Sequence, residues 1–275
     1  MKSLNGSELA SFIKERQAKQ VRALRQAWGI FPRLAIVTDT ENPVIDLYMR
    51  LKKSYGADIL IDVEVHRVDS NDIDSTIERL NSRDDIQGII VQLPISSGED
   101  VDRVLAMVAP EKDVDGLNPV STFDAATPTA INWLLAGYGV DLNSRKIAIV
   151  GRGRLVGAPL VKMWESSGHE VRVFEKGDDL AELINYDVVV TAAGSAHIIT
   201  NEMIAPGCVV VDAGTSSEDG EVRGDVSPEV RKRDDISITP EKGGVGPLTV
   251  TALFDNVIQA CLRIANSRKS TSTDR

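Results

Sequence analysis

Tyr48 and Lys52 are a pair of side chains whose types and spacing suit proton transfer. They lie four residues apart in a predicted helix that begins after Asn42 and Pro43, so both side chains share one face of the helix. A phenol beside an ammonium group can position and move protons. The same spacing also occurs in amphipathic helices without a catalytic role, so the pair needs support from other residues.

Two further polar residues stand where an α/β protein places its ligands. Gln92 ends the apolar run GIIV and precedes Leu93 and Pro94, and Asp115 precedes Gly116 in the segment KDVDG. Carboxyl ends of parallel strands line ligand sites, and a buried amide costs free energy unless it finds partners. Asp115 can accept from a ligand with two adjacent donors. A loop-capping glutamine and an ordinary Asp-Gly turn remain alternatives.

A glycine turn follows the short apolar run Ile147–Val150, which is typical of a buried parallel strand. Gly151 and Gly153 come directly after this run, and a helical pattern extends from Leu155 to Ser167. This order is that of dinucleotide-binding units, where backbone and helix N-terminus approach a pyrophosphate. Because Gly157 comes one residue later than in the common fingerprint, a tight turn in an ordinary sheet also fits.

A second glycine-rich loop, ITPEKGGVGPLT, lies before the last helical pattern, Leu248 to Ile264. Gly243 and Gly244 allow a close approach of the backbone, and Pro247 limits the flexibility of the loop. A plain connector rarely needs so many glycines. We therefore expect these three residues to contact a ligand.

The elements that must position these groups alternate between strands and helices. This pattern predicts an α/β protein with an α/β substrate domain and a Rossmann-like, doubly wound parallel-sheet nucleotide domain. We assign residues 1–120 and the helix 248–266 to the first domain, 121–247 to the second, and 267–275 to a disordered tail. The predicted strands are Leu34–Val37, Ile59–Val65, Gly88–Leu93, Ile147–Val150, Val171–Phe174, Val188–Ala192, Val209–Asp212 and Ile236–Thr239.

Composition restricts the class of protein. The chain has 275 residues, 42% hydrophobic and 26% charged, values typical of a soluble globular protein, and we expect no stretch long enough to cross a membrane. The first residues resemble a polar helix rather than a signal peptide, which favours a cytoplasmic location. A net charge of −10 argues against nucleic-acid binding. The three histidines lack ligand spacing, so no metal site is expected, and the two cysteines are expected to be buried thiols.

Five motifs in this order make the chain closely similar to one family over nearly its whole length. They are Tyr48-x-x-x-Lys52, VQLP at 91–94, KDVDG at 112–116, GRGRLVGAP at 151–159 and TPEKGGVGP at 239–247. The chain resembles the bifunctional methylenetetrahydrofolate dehydrogenase/cyclohydrolase family. The resemblance implies hydride transfer from methylenetetrahydrofolate to a nicotinamide cofactor, followed by hydrolysis of the methenyl cation to formyltetrahydrofolate.

The same resemblance implies roles for four residues. Lys52 matches the catalytic lysine, Tyr48 the tyrosine that lines the folate, Gln92 the glutamine that hydrogen-bonds the lysine, and Asp115 the carboxylate that binds the pterin. A lysine facing a cationic ligand in a partly dry cleft between two domains is expected to have a lowered pKa. Tetrahydrofolate derivatives and a second copy of the chain, in a homodimer, are the implied partners.

The cofactor is either NADP, which is the family default, or NAD. After the second strand of the nucleotide domain the family commonly has a His-Ser-Arg-Thr type segment, whereas this chain has Glu175-Lys176-Gly177-Asp178. A carboxylate accepts from a ribose 2′-hydroxyl and repels a 2′-phosphate, but Lys176 and Arg152 can pair with phosphate. Glu175 is alternatively a solvated surface charge. The residues assigned to the cofactor are Gly151, Arg152, Gly153, Glu175, Lys176 and Thr215.

Several positions depart from the family pattern. Ile45 stands in place of a serine, Ala125-Ala126 of Pro-Cys, Gly153 of a serine, and Glu241-Lys242 of Val-Pro. These departures leave open a dehydrogenase without cyclohydrolase activity and a non-catalytic nucleotide-sensing homologue, although Lys52 and Asp115 are both retained. Short-chain dehydrogenases also combine Tyr-x-x-x-Lys with a glycine turn, but their glycine turn comes first.

Overall fold

A computed structural model describes residues 2–96, 100–218 and 221–273. The described residues form two parallel sheets, a small antiparallel pair of strands and helices, so the predicted α/β class is confirmed. The helices are α1 (Gly6–Trp28), α2 (Pro43–Asp58), α3 (Ile73–Asn81), α4 (Val101–Ala106), α5 (Ala126–Gly137), α6 (Gly157–Ser166) and α7 (Val245–Thr273). The strands are β1 (Lys2–Ser3), β2 (Arg33–Thr38), β3 (Asp62–Arg67), β4 (Gly88–Val91), β5 (Ile147–Val150), β6 (Val171–Phe174), β7 (Val188–Thr191), β8 (Val209–Asp212), β9 (Ser216–Glu218), β10 (Glu221–Arg223) and β11 (Ser237–Ile238).

The chain divides into two units. The three-stranded unit comprises residues 12–126 and 250–275, and the six-stranded unit comprises residues 1–11 and 127–249. These bounds differ from the predicted ones at the N-terminus, because β1 pairs in parallel with β11 and so belongs to the six-stranded unit. The expectation of a polar helix from the first residues is therefore wrong for Lys2 and Ser3, which form β1.

The prediction of a disordered tail, residues 267–275, differs from the structure at residues 267–273, and residues 274–275 lie outside the described residues. Helix α7 continues to Thr273, well past residue 267, where the tail was expected to begin. Once a helix exists, each added residue gains one backbone hydrogen bond at little further ordering cost. The extension also has tertiary support, because Arg268 donates a hydrogen bond to the carbonyl oxygen of Trp28.

The sheet of the three-stranded unit has the order β3-β2-β4, with all strands parallel. Its central strand is buried from Leu34 to Thr38, as expected for a parallel strand covered on both faces. Ala35 and Val37 pack in one apolar cluster with Ile77 of α3 and Val104 of α4. In the pairing of β2 with β4, Val37 lies opposite Val91, so the two strands end side by side.

The turn that ends helix α2 includes residues that the apolar pattern assigned to the next strand. Leu60 adopts a left-handed conformation with φ 65°, and the Ile61 N–H donates to the Gly56 carbonyl at 2.8 Å. This is a Schellman-type helix end. It takes up residues that were predicted as the start of the strand Ile59–Val65, and β3 consequently begins at Asp62.

The KDVDG segment lies beside strand β4. The Ile89 N–H donates to the Lys112 carbonyl at 2.7 Å, and Ile89 forms a parallel bridge with Asp113. The Lys112 ammonium group donates to three carbonyl oxygens at and just beyond the end of α3, those of Leu80, Asn81 and Arg83, at 3.3, 2.7 and 2.7 Å. A single lysine thus fixes the segment that leads to Asp115.

Helix α7 covers the three-stranded unit with an apolar face. Phe254 stacks on Tyr55 of α2 with ring centroids 5.1 Å apart, and Asn256 donates to the Val114 carbonyl at 2.9 Å. The expectation that no stretch is long enough to cross a membrane is wrong by length and composition for Val245–Lys269, which has a mean hydropathy of 1.3. Of that window 56% is buried, and a core helix passes the same test.

The sheet of the six-stranded unit has the order β1-β11-β8-β7-β5-β6 and is parallel throughout. The chain runs from β5 to β6 on one side and then crosses to β7 on the other side. This order makes the carboxyl ends of β5 and β7 a topological switch point, where doubly wound sheets bind ligands. The Rossmann-like prediction is confirmed.

We expect Lys112→Met to destabilise the three-stranded unit. The variant leaves three carbonyl oxygens without their charged donor, and a hydrogen bond to a charged group contributes about 1.5–3 kcal/mol net. Because Lys112 is only half-buried, water replaces part of what is lost. We expect a loss of about 1–3 kcal/mol in the free energy of unfolding, measured by urea denaturation. Lys19→Met, on the exposed face of α1, is the matched control, and equal stability of the two variants would contradict the capping role.

Candidate functional site

Lys52 and Gln92 are in direct contact in the three-stranded unit. The Lys52 ammonium group donates to the Gln92 side-chain oxygen at 2.8 Å. The amide nitrogen of Gln92 donates to the Leu93 carbonyl at 3.0 Å, which keeps the amide oxygen turned toward the lysine. The Gln92 backbone N–H donates to the Val37 carbonyl at 2.8 Å, so Gln92 is fixed at the end of β4.

Asp115 is the second group that acts on Lys52. Burial lowers the pKa of the Lys52 ammonium group, and the negative charge of Asp115 partly opposes that shift. Burial likewise raises the pKa of the Asp115 carboxyl group, and the positive charge of Lys52 partly opposes it. The direction at Lys52 is the one expected from the sequence. Both groups are therefore closer to their neutral forms than they would be in water.

The Asp115 carboxylate has free acceptor positions, because no group among the described residues donates a side-chain hydrogen bond to it. Its backbone is fixed by contrast. Gly116 has φ 71°, and a Cβ at this position would lie 2.6 Å from the Ala125 nitrogen. The Ala126 N–H donates to the Asp115 carbonyl at 3.3 Å. The carboxylate is thus positioned and available to a ligand.

Tyr48 lies one helical turn before Lys52, and its side chain is half-buried. No described residue forms a hydrogen bond with its hydroxyl group. Leu47 and Leu51 on the same helix are 44% and 48% exposed, so Tyr48 is bordered by apolar surface suited to a flat ring. Ile45, which departs from the family pattern, is 4% exposed and packs in the core.

Asp39 is a residue near this site that the sequence analysis missed. Its carboxylate accepts from the Ser96 N–H at 3.0 and 2.9 Å, from the Ser70 hydroxyl at 3.2 Å and from the Thr40 hydroxyl at 3.1 Å. Burial would raise the pKa of Asp39, but these hydrogen bonds outweigh it and lower the pKa. Asp39 ties the loop after β2 to the loop that follows Gln92. Its place at the end of an apolar strand was an available signal.

The glycine turn after β5 is packed against neighbouring backbone. Gly151 has φ 94°, and a Cβ there would lie 2.6 Å from the Ala192 carbonyl oxygen. A Cβ at Gly157 would lie 2.0 Å from the Gly151 oxygen, whereas one at Gly153 would meet only the Ala192 oxygen, at 3.8 Å. Two of the glycines are therefore needed for close packing, and Gly153 is not. Arg152 is exposed beside them.

Two carboxylates near the carboxyl end of β7, those of Asp212 and Asp225, were also missed. Asp212 ends β8, and its carboxylate forms an ion pair with Arg231 and accepts from the Thr191 hydroxyl at 3.1 Å. Asp225 donates its backbone N–H to Asp212 at 3.1 Å. Thr215 lies in the exposed loop after Asp212. The sequence signal was the aspartate at the end of the predicted strand Val209–Asp212.

The end of β6 carries two carboxylates. The Asp178 side chain accepts from the Glu175 N–H at 2.8 Å, while the Glu175 side chain is exposed. Arg172 lies 3.5 Å from the Asp178 carboxylate and 5.1 Å from the centroid of the Phe174 ring. Lys176 is exposed. Arg172 is thus already engaged by a carboxylate.

The late glycine loop has a packing explanation. A Cβ at Gly243 would lie 2.7 Å from the Ser7 hydroxyl oxygen, and the Ser7 N–H donates to the Gly243 carbonyl at 3.0 Å. A Cβ at Gly6 would lie 1.9 Å from the Gly244 oxygen. Close approach of the start of α1 therefore accounts for Gly243, and the same approach requires a glycine at position 6. A Cβ at Gly244 would lie 3.2 Å from the Pro240 oxygen, within the loop itself. Pro247 is partly buried at the start of α7.

No metal-binding group was identified in the part of the chain that the structure describes. Three or more His, Cys, Asp or Glu side chains do not come together there. Cys208 and Cys261 are buried free thiols, as expected, and burial raises the pKa of each to about 12. Neither thiol is suited to nucleophilic chemistry.

Known proteins share both the sequence and the fold. Residues 4–115 match the family described as tetrahydrofolate dehydrogenase/cyclohydrolase, catalytic domain, and residues 125–265 match its NAD(P)-binding domain. The Bifunctional protein FolD of Macrococcus caseolyticus is 31% identical over 95% of this chain and 98% of its own length. The FolD crystal structure from Campylobacter jejuni superposes with a TM-score of 0.90 at 30% identity, covering 96% of this chain and 99% of that one.

A third relative is a FolD from Trypanosoma brucei, described as a complex with NADP cofactor and inhibitor. It has a TM-score of 0.90 and 27% identity, and the match covers 96% of this chain and 98% of that chain. The match includes the glycine turn and the segment around Lys52, since nearly the whole chain is aligned. The similarity therefore extends to both units.

We expect Gly157→Ala to destabilise the six-stranded unit by about 1–3 kcal/mol, the usual range for overpacking. The added Cβ would collide with backbone at Gly151, and backbone has no rotamer by which to move away. Thermal unfolding of the variant measures the loss. Gly153→Ala adds the same methyl group in open space and is the matched control, so equal unfolding temperatures for the two variants would argue against the packing seen at this turn.

Proposed function

Because the chain belongs to the tetrahydrofolate dehydrogenase/cyclohydrolase family, we propose that it oxidises methylenetetrahydrofolate by hydride transfer to a nicotinamide dinucleotide and hydrolyses the methenyl product. The observation that carries the proposal is the contact of Lys52 with Gln92 beside an unpaired Asp115 carboxylate. This arrangement supplies a proton acceptor and a substrate anchor in one place.

Lys52 acts as the general base of hydrolysis. Its lowered pKa increases the fraction of neutral amine, and a cationic methenyl ligand nearby lowers that pKa further. Water attacks the methenyl carbon and passes one proton to the Lys52 nitrogen. The adduct that forms carries a neutral hydroxyl group. As the bond between its carbon and N5 breaks, N5 takes the proton held by Lys52, and the hydroxyl proton passes to the freed Lys52 amine and then to solvent, which leaves the formyl group on N10. The Gln92 oxygen orients the amine throughout.

Asp115 and Tyr48 bind and orient the substrate. The Asp115 carboxylate accepts from the amino group and adjacent ring N–H of the pterin, where charge-assisted hydrogen bonds add geometric specificity. Tyr48 and its leucine neighbours provide the apolar surface for the ring system. Oxidation requires no strong base, so its rate depends mainly on holding the one-carbon bridge in line with the hydride acceptor.

The glycine turn of the six-stranded unit fits a dinucleotide. Gly151 permits a backbone conformation that a Cβ would block, and α6 begins at the end of the turn, at Gly157, where the positive end of the helix dipole favours a pyrophosphate. Gly151, Arg152, Gly153 and Thr215 are the residues that would hold the dinucleotide. When bound, this cofactor supplies the hydride acceptor.

NAD is the cofactor that the charges at the end of β6 favour. The exposed Glu175 carboxylate accepts from a ribose 2′-hydroxyl and repels a 2′-phosphate. Asp178 adds a second negative charge, and Arg172 is already paired with it. Lys176 is the one cation of this segment that faces solvent without a described ion pair. Homodimer formation and a cytoplasmic location stay predictions from the sequence.

We expect Lys52→Met to lower the cyclohydrolase rate by about a hundredfold to ten-thousandfold, the usual contribution of a positioned general base. Methionine keeps the length of the side chain and removes the proton acceptor. In the wild-type enzyme the same rate should rise with pH as Lys52 loses its proton, because the lowered pKa belongs to the group that must be neutral. Hydrolysis of methenyltetrahydrofolate, followed by its absorbance, measures both effects.

Lys53→Met is the matched control, because it removes an exposed lysine from the adjacent position of the same helix. If Lys52→Met hydrolyses methenyltetrahydrofolate at the wild-type rate, Lys52 has no part in the mechanism. Reduction of the dinucleotide without hydrolysis in the wild type would identify a dehydrogenase alone. Binding of the dinucleotide without either reaction would identify a nucleotide-sensing homologue.

We expect the wild-type enzyme to use NAD with a higher kcat/KM than NADP, and Glu175→Gln to reduce that preference about tenfold to hundredfold. This range corresponds to loss of one hydrogen bond to a charged acceptor. Steady-state kinetics with both dinucleotides measure it. Glu170→Gln removes an exposed charge at the opposite end of the same strand and should leave the ratio unchanged. A wild-type preference for NADP would contradict the role given to Glu175.

A further inference from the structure

The loop after β7, residues 192–195, lies at the topological switch point together with the glycine turn. Ala192 donates its N–H to the Val150 carbonyl at 2.8 Å, which continues the pairing of β7 with β5 beyond the strand end. Its own carbonyl oxygen occupies the space that a Cβ at Gly151 would need, at 2.6 Å. Any shift of this loop therefore moves against the backbone of the turn.

Asp225 determines the shape of that loop. Its two carboxylate oxygens accept from the N–H groups of Ala193 and Ser195 at 2.7 and 2.8 Å. Between these donors Gly194 has φ 64°, so the loop forms a concave arrangement of backbone N–H groups of the kind that binds anions. In this protein an internal carboxylate fills the concavity.

The Asp225 side chain is itself closely packed. The residue is 0% exposed, and a Cβ at Gly214 would lie 2.0 Å from its carboxylate carbon. Its backbone N–H donates to Asp212, which is paired with Arg231. Burial raises the pKa of Asp225, and the hydrogen bonds from Ala193 and Ser195 oppose that shift. Burying a carboxylate costs free energy. Here the backbone N–H groups of one loop offset that cost by donating to it.

We propose that Asp225 is a positioning residue for dinucleotide binding, which holds the loop 192–195 against Gly151 so that the glycine turn keeps the shape that receives the pyrophosphate. The inference rests on the proposed function and adds a residue to which no role has been given. It acts through backbone, without contact between Asp225 and the cofactor. The hydrolytic residues Lys52, Gln92 and Asp115 belong to the other unit, so their reaction provides an independent reading of an intact protein.

Asp225→Asn tests this inference. The amide retains one acceptor oxygen but turns a nitrogen donor toward a backbone N–H, so one hydrogen bond is replaced by an unfavourable contact. We expect the dissociation constant for the reduced dinucleotide, measured by its fluorescence, to rise at least about tenfold, which corresponds to roughly 1.4 kcal/mol. The cyclohydrolase rate, measured without dinucleotide, should stay within about twofold of the wild type. Asp235→Asn makes the same charge change at an exposed site of this unit and is the control.

Gly194→Ala provides a second variant should Asp225→Asn fail to fold. It leaves the carboxylate in place and disfavours the left-handed conformation between the two donors, so we expect weaker dinucleotide binding and normal hydrolysis. Unchanged dinucleotide binding in Asp225→Asn, or equal loss of binding and hydrolysis in both variants, would overturn the inference. A wild-type protein that binds no dinucleotide would overturn the proposed function and this inference with it.

Discussion

The hydrogen bond between Lys52 and Gln92 joins helix α2 to the carboxyl end of β4, and the rest of the candidate site depends on it. A lysine is flexible, and it keeps one position only if its helix and its acceptor are both fixed. The Schellman-type end at Leu60 and the stacking of Tyr55 on Phe254 fix the helix. The Asp39 network fixes the loop beyond Gln92. Each of these contacts lies outside the site and supports its geometry.

Burial has opposite effects on stability and on chemistry in this arrangement. Moving the Lys52 ammonium group and the Asp115 carboxylate away from water costs free energy. The two groups do not form a direct hydrogen bond that would offset this cost. The same desolvation brings the lysine toward its neutral form and leaves the carboxylate oxygens to a ligand. The candidate site is thus a place of local instability in the fold, as is common where a protein binds or converts a ligand.

Sequence reasoning succeeded where one short segment contains the whole signal. The buried strands are continuous apolar runs, and Gln92 stood out as a polar residue at the end of one of them, where its side chain contacts Lys52. It failed where partners are distant in sequence. The pairing of β1 with β11 and the hydrogen bonds of Asp39 to Ser96 or of Asp225 to Ala193 have no local pattern. Leu60 was missed because a left-handed leucine follows from the helix end around it and not from its own preference.

Neither unit is a continuous piece of the chain, and this has a consequence for the order of events during synthesis. The six-stranded unit needs its first residues and those up to 249, and the three-stranded unit also needs residues 250–275. A nascent chain therefore carries Lys52 and Gln92 for most of translation before Phe254 of α7 is available to cover α2. The face of α2 around Tyr55 is therefore covered only after α7 has been synthesised and has packed on it.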